Sequence, residues 1–210
     1  MKKLMINKLC IRLIAAISLL VASVSAHASL EIVITGGIDS ARPIAVVPFK
    51  WLGTGPKPQG LTEVVAADLM RSGKFNPIPV HGMPQHPSSA SEIDYAAWAS
   101  LGVEVVLVGT LAPHSIDRYT VSFEIVDIFR GQITSGTQVL RNGQLVTSDD
   151  HILDARSSVI AGEQFRQYAH RISDIFYETL TGQPGAFMTR IAYVTVNHDR
   201  ERPYELVVAD

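Results

Sequence analysis

Two short, near-continuous apolar segments, Ile44–Phe49 and Val103–Leu111, constrain the fold more than any other feature of this sequence. Each has the length of a strand, and an uninterrupted apolar run is typical of a strand that is buried on both faces. Between them lie two segments with helical patterns, Thr62–Ser72, which is followed by Gly73, and Asp94–Leu101, which is followed by Gly102. Strands that alternate with helices predict an α/β fold.

The remaining segments predict the rest of the sheet. Lys74–Val80 contains two prolines, which confine a strand to the edge of a sheet. Tyr119–Phe129 alternates apolar and polar residues and predicts a strand with one wet face. Gln132–Gln144 is predicted to continue as a strand. We therefore expect a mixed β-sheet with helices packed against it.

Gly162–Leu180 is the clearest helix of the sequence. Gly182 and Pro184 predict its end. We expect His170, beside Arg171, to lie on the solvated side of this helix. The opposite side carries an apolar stripe at three- and four-residue steps, formed by Phe165, Tyr168, Ala169, Ile172, Ile175, Phe176 and Leu180.

Residues 1–28 have the pattern of a secretory signal peptide. Four basic residues and no acidic ones surround or precede an apolar run, and the segment ends at Ala26-His27-Ala28, which predicts cleavage before Ser29. The apolar run from Ile11 to Val24 is shorter than the roughly 20 residues that span a bilayer. We therefore expect a periplasmic protein with no integral membrane segment after cleavage.

Composition argues against several functions. The only cysteine, Cys10, lies before the apolar run, so the mature chain contains neither a disulfide nor a thiol nucleophile. Fourteen basic residues against 20 acidic ones remain after cleavage, a net charge of −6, which disfavours nucleic acid as a partner.

No motif for catalysis or cofactor binding stands out. Gly53–Lys57 lies where a phosphate-binding loop would lie, but Gly-Lys-Ser/Thr is absent and Pro56 and Pro58 lack backbone N–H donors. His81 and His86 are five residues apart without a third ligand at a fixed spacing. We predict no enzymatic activity, no cofactor and no metal.

Both ends of the mature chain carry β-rich segments. Leu30–Ile34 predicts a strand, followed by Gly36-Gly37; it can be the edge strand of its own domain or can pair with the exposed sheet edge of a partner. Arg190–Val196 and Tyr204–Val208 predict two strands with no place in the sheet. Because a lone hairpin is marginally stable in water, we interpret them as the beginning of a second domain.

Several blocks, in this order along the chain, are similar to the TolB family of the periplasmic Tol–Pal system. They are Leu30–Phe49, Val65–Phe75, Ala97–Gly102, Leu180–Gly182, Gly185–Val194 and Pro203–Leu206.

The resemblance implies an N-terminal α/β domain, a six-bladed β-propeller and no enzymatic activity. It further implies that the N-terminal segment, here roughly Ser29–Arg42, binds the C-terminal domain of TolA, and that the propeller binds the lipoprotein Pal. The corresponding domains are 1–28, the signal peptide; 29–184, the α/β domain; and 185–210, the opening strands of an incomplete propeller. Pal binding is expected only where the rest of the propeller is present. The residues expected to contact TolA are Leu30, Ile32, Val33, Ile34 and Asp39.

Two other functions stay open on the sequence alone. One is a stand-alone periplasmic regulator of peptidoglycan synthesis with a similar α/β domain, although such proteins usually carry a lipidated cysteine after the apolar run. The other is a small hydrolase or metal carrier built on His81 and His86.

One segment, Gln132–Arg156, is longer than the family's usual connection between its last sheet strand and last helix.

Overall fold

The computed structural model describes residues 41–58, 60–199 and 202–209. The predicted signal peptide and the predicted strand Leu30–Ile34 lie outside these ranges. The described chain forms a mixed six-stranded sheet with helices on both faces, together with two separate two-stranded hairpins.

One half of the sheet is parallel. Strand β1 (Arg42–Val46) lies between β3 (Phe75–Pro77) and the start of β4 (Val105–Ser115), and it is parallel to both. The short strand β2 (Lys50–Trp51) pairs with the second half of β4. As predicted from its prolines, β3 is an edge strand.

The other half is antiparallel. Strand β5 (Arg118–Asp127) pairs with β4 on one side and with β8 (Ile152–Ala161) on the other, so β8 forms the second edge. Val121, Phe123 and Ile125 are buried, whereas Ser122 and Glu124 between them are partly exposed. The alternation predicted for this strand is confirmed, as is the mixed sheet.

In the described part of the chain, four α-helices pack against the sheet. Helix α1 (Leu61–Arg71) and helix α4 (Phe165–Thr181) cover one face together, and their apolar side chains join those of the sheet in one core. Helix α2 (Tyr95–Ser100), helix α3 (Ile128–Thr134) and two 3-10 turns cover the other face around a second core. The predicted stripe of α4 is buried or half-buried along its length.

The strand predicted over Gln132–Gln144 is wrong. The first residues of that segment belong to α3, and a hairpin of β6 (Gln138–Arg141) and β7 (Gln144–Thr147) follows. Asn142 and Gly143 both have positive φ and form its two-residue turn, which is the geometry that matches the twist of a hairpin. Asn-Gly was therefore a turn signal, not an interruption of one strand.

Strands β9 (Ile191–Val196) and β10 (Tyr204–Ala209) confirm the two predicted C-terminal strands, which pair antiparallel. Most of their apolar side chains are exposed; Leu206, for example, is 71% exposed. Within the described ranges, no helix combines the length and apolarity that are needed to cross a bilayer.

Candidate functional site

The residues predicted to bind a partner, Leu30, Ile32, Val33, Ile34 and Asp39, lie outside the described ranges. The structure does show how Arg42, at the start of β1, is held. Arg42 Nε donates to Glu104 Oε2 at 2.7 Å, and its backbone N donates to Lys74 O at 2.9 Å. An Nη1 contact of 3.4 Å to Leu180 O adds the end of α4. The first residue of β1 is thus held by three parts of the fold.

A further strand can pair with this domain only at an edge of the sheet. Edge strand β3 has three residues and ends in a proline, which makes it a poor template for a further strand. Edge strand β8 has ten residues, and among the described residues only β5 pairs with it. An ion pair on β8, with Arg156 Nη2 2.8 Å from Asp154 Oδ2, places charges along this edge, a common protection against unwanted pairing.

The glycine- and proline-rich loop that resembles a phosphate loop has a structural role. Lys57 Nζ donates to Phe49 O at 2.6 Å, and Trp51 Nε1 donates to Gly55 O at 3.2 Å. The loop and the start of α1 enclose a cavity of about 610 Å³. Lys57 Nζ is thus bound to the backbone, and Pro56 has no N–H that could bind a phosphate.

The prediction that His170 lies on the solvated side of α4 is wrong. His170 is 7% exposed, and its Nδ1 lies 2.7 Å from Asp68 Oδ2 of α1. Ser173 Oγ donates to the same carboxylate oxygen at 3.0 Å. A buried carboxylate is stable only when it is paired and hydrogen-bonded: these two contacts are hydrogen bonds between the helices, and Arg71 Nη1, 3.4 Å from Asp68 Oδ1, is the cation.

One signal in the sequence pointed toward this cluster. Asp68 lies between Val65 and Leu69, both of which belong to the buried stripe of α1. A carboxylate at such a position requires a buried partner. Which residue supplies that partner depends on how α1 crosses α4, and the sequence does not reveal this crossing.

A second buried carboxylate fastens the chain that follows α4. Asp174 is 7% exposed, and its Oδ1 accepts a hydrogen bond from Phe187 N at 2.8 Å. The rings of Phe187 and Tyr177 pack edge to face, with centroids 5.9 Å apart. Gly185 lies against Asp174 so closely that a Cβ would collide with it. The segment after the helix is therefore part of the packed domain as far as Phe187.

The histidines proposed as metal ligands do not form a site. His81 and His86 are both exposed. Across residues 41–58, 60–199 and 202–209, no three histidine, cysteine or acidic side chains are grouped as a metal ion would require. Unlike His81 and His86, His151 is buried: it lies directly before β8 and is 6% exposed.

One ionisable group in the second core has a strongly shifted pKa. Burial, together with the negative charge of Glu124, raises the pKa of Tyr95 to about 12. The hydroxyl of Tyr95 donates to Ala90 O at 3.0 Å. Glu124 Oε2 also accepts from Ala90 N at 2.6 Å, so this tyrosine and this carboxylate both position the same 3-10 turn. These contacts are structural.

Together, these observations define a mixed α/β domain whose buried polar clusters hold its elements together. A sequence profile described as the TolB amino-terminal domain matches residues 30–134. A "Tol-Pal system protein TolB" from Pasteurella multocida (strain Pm70) is 45% identical over 185 residues, which are 88% of this chain and 39% of that protein. The chain belongs to the TolB family.

A solved structure agrees with this assignment. The crystal structure of TolB from Acinetobacter baumannii superimposes with a TM-score of 0.61 at 27% sequence identity. The superposition covers 81% of this chain and 36% of the other. The chain thus spans well under half the length of both relatives.

Proposed function

We propose that this chain is a non-catalytic periplasmic adaptor of the Tol–Pal system, which contributes to outer-membrane integrity and to invagination of the outer membrane during cell division. The observation that carries the proposal is its similarity, 45% identity over 185 residues, to a protein named for that system. The adaptor connects TolA of the inner membrane to Pal of the outer membrane.

The proposed contact with TolA is strand addition by the N-terminal segment. Leu30, Ile32 and Ile34 alternate with Glu31 and Val33, so a paired strand presents three apolar side chains on one face. Main-chain hydrogen bonds to the edge of the C-terminal domain of TolA provide affinity, and these side chains provide specificity. Gly36-Gly37 acts as the hinge between a state docked on its own protein and a state paired with TolA.

The contacts of Arg42 support this mechanism. A strand that exchanges between partners needs a fixed point from which it departs, and the ion pair with Glu104 and the bond to Lys74 O supply one. Asp39 lies three residues before this point. In the proposal, Asp39 contacts TolA at the end of the added strand.

The proposed contact with Pal belongs to a propeller of which this chain carries only the opening strands. Hairpin β9–β10 is assigned to the first blade. Val194 and Leu206 are opposite each other in the hairpin and are 57% and 71% exposed, which is typical of a strand pair that further strands cover. Pal binding is therefore assigned to the whole protein and not to residues 29–210 alone.

A binding titration tests the TolA contact. The chain without residues 1–28, a form that also lacks residues 29–41, and the variant Ile32→Asp are titrated with the purified C-terminal domain of TolA by calorimetry. We expect binding by the first form only, because a buried aspartate in the added strand is not compensated. The variant Ile116→Asp is the control, since Ile116 is 98% exposed in the turn between β4 and β5. Equal affinities for the intact and the shortened chain would refute the proposal.

The periplasmic location has its own test. The full chain is expressed with its N-terminus intact, and the periplasmic fraction is analysed by N-terminal sequencing. We expect the mature chain to begin at Ser29. An uncleaved chain that begins at Met1 in the membrane fraction would contradict the assignment of residues 1–28.

A further inference from the structure

A cavity of about 490 Å³ lies where hairpin β6–β7 meets the second face of the sheet. Its volume is in the range of small-ligand sites. The walls come from the 3-10 turn before α2, from the turn after α3, from the end of β7 and from the start of β8. Six of its residues carry the inference: Ala90, Ile93, Tyr95, Asp149, His151 and Ile152.

The hydrogen bonds of His151 leave one ring nitrogen available as an acceptor. Thr134 Oγ1 lies 3.0 Å from Arg130 O and 3.1 Å from His151 Nδ1. When the single hydroxyl proton is donated to Arg130 O, Oγ1 accepts from Nδ1. In the neutral ring, Nε2 then carries a free lone pair. Nε2 has no hydrogen-bond partner among the described residues. Two unpaired side-chain nitrogens of these residues are fully buried, Trp98 Nε1 and His170 Nε2; His151 Nε2 is not one of them and is therefore accessible.

The charged side chain that lines the cavity is Asp149, and its partner Arg141 is not among the lining residues. Hydrogen bonding from Arg141 to the Asp149 carboxylate, with Nη2 2.6 Å from Oδ1, lowers the pKa of that carboxyl group and keeps it ionised. An anion is therefore disfavoured in this cavity. A metal ion would have His151 and Asp149 as its only close ligands, since no third ligating side chain joins them in the described part of the chain.

The remaining walls suit a short hydrocarbon chain. Ile93 is 8% exposed, and Ile152 and Ala90 also line the cavity. The ring of Tyr95 packs edge to face with that of His151, with centroids 5.5 Å apart. A ligand that fits both parts of the cavity has an apolar stem and a cationic, proton-donating head.

We propose that this cavity binds an alkylammonium group, whose N–H donates to His151 Nε2 beside the carboxylate of Asp149 while its methylene groups contact Ile93 and Tyr95. The same chemistry belongs to the side chain of a lysine on a protein partner and to a free primary amine. The proposed Tol–Pal role neither requires this site nor depends on it.

Titration by NMR tests the proposal. The chain without residues 1–28 is labelled with ¹⁵N and ¹³C, and the ring signals of His151 are followed as n-butylammonium is added. We expect saturable shifts of His151 and none of comparable size with n-butanol or butyrate. Equal shifts with n-butanol would show that the cavity selects only for apolar volume, and an absence of saturation would show that it binds no amine; either result overturns the proposal.

Two variants and one control assign the effect to the site. His151→Phe keeps the ring and removes the acceptor, and Asp149→Asn keeps the shape and removes the charge; we expect each to weaken butylammonium binding at least roughly tenfold. His86→Phe alters an exposed histidine and is expected to leave binding unchanged. If His151→Phe fails to fold, Asp149→Asn alone decides, because its side chain is 58% exposed. Unchanged affinity in Asp149→Asn would overturn the proposal.

A second ligand distinguishes the two sources of the amine. Nα-acetyl-lysine methylamide carries the same ammonium on a peptide backbone. Tighter binding of this compound than of n-butylammonium would identify a lysine of a protein partner, whereas weaker binding would identify a small amine. Its Nε-acetylated form has no charge, and binding of that form with equal affinity would contradict the role of Asp149.

Discussion

The two faces of the sheet are covered in different ways. On the first face, two long helices, α1 and α4, lie side by side and enclose large side chains such as Phe75, Phe123 and Phe176. On the second face, short helices and 3-10 turns enclose smaller residues around Trp98, and a cavity stays open beside them. Each face also borders a cavity, one of about 610 Å³ at the start of α1 and one of about 490 Å³ beside His151, so the faces differ in the helices that cover them and not in the presence of a cavity.

Polar groups follow the same division. The first face contains the pair of Asp68 and His170, which is sealed from solvent and joins the two helices. On the second face, Tyr95 and Glu124 bond to the 3-10 turn at Ala90, and His151 lies 3.1 Å from Thr134 of α3; Tyr95 and His151 line the cavity. Sealed polar groups contribute to the stability of the fold, whereas partly accessible ones can also meet a ligand.

Truncation of large residues should produce the largest difference between the faces. Phe176 is fully buried and packs edge to face with Phe75, so we expect Phe176→Ala to lower the free energy of unfolding by about 3–5 kcal/mol. Ile93 already borders a cavity, so Ile93→Ala should fall toward the lower end of the roughly 2–5 kcal/mol range. Urea unfolding measures both. A loss for Ile93→Ala as large as that for Phe176→Ala would contradict looser packing around Ile93, because the isoleucine substitution removes fewer atoms.

Neutralising one aspartate on each face should have a smaller effect. Asp68→Asn replaces an acceptor of two buried hydrogen bonds, and we expect a loss of about 1–3 kcal/mol. Asp94→Asn is the matched change on the second face. Asp94 caps α2 by accepting from Ala97 N at 3.1 Å, and asparagine caps a helix about as well, so stability should hardly change. Thermal unfolding of the two variants compares them; a loss for Asp94→Asn as large as that for Asp68→Asn would contradict the difference.

High pH should also weaken the second face. The pKa of Tyr95 is raised from 10.0 to about 12 in the folded protein, so the unfolded chain releases this proton first. The stabilisation is fully present below about pH 10 and is lost as the pH rises toward about 12.

The measurement for this third prediction is urea unfolding between these pH values, combined with the absorbance of ionised tyrosine. Tyr95→Phe should flatten the pH dependence, and Tyr204→Phe, which alters a 70% exposed ring, should not. An identical alkaline decline in the Tyr95→Phe variant would exclude Tyr95 as its cause.

Much of the fold could be predicted from local patterns. The apolar runs of β1 and β4, the prolines of β3 and the stripe of α4 each determine a strand or helix through burial and backbone chemistry that act within a few residues. Strand β8 was missed because it is an edge strand, and polar residues such as Asp154, Arg156 and Ser157 hide its pattern.

The candidate sites depended on different kinds of information. The partner-binding segment around Leu30–Ile34 is a prediction from sequence and family, and it stays one. The cavity beside His151 joins residues 90–95 to residues 135–152, and no local pattern relates segments so far apart in the chain. Its free ring nitrogen depends further on the contact between His151 Nδ1 and Thr134 of a different element, α3.

By itself, the sequence determined the class of fold, the order of most elements and the membership of the TolB family. Apolar periodicity, turn residues and similarity to known proteins can all be recognised from the order of the residues alone. Only the tertiary structure decided that His170 is buried against Asp68 and that the second face keeps a cavity. Both outcomes depend on how helices and loops cross the sheet, and burial, pairing and empty volume arise only when distant residues meet.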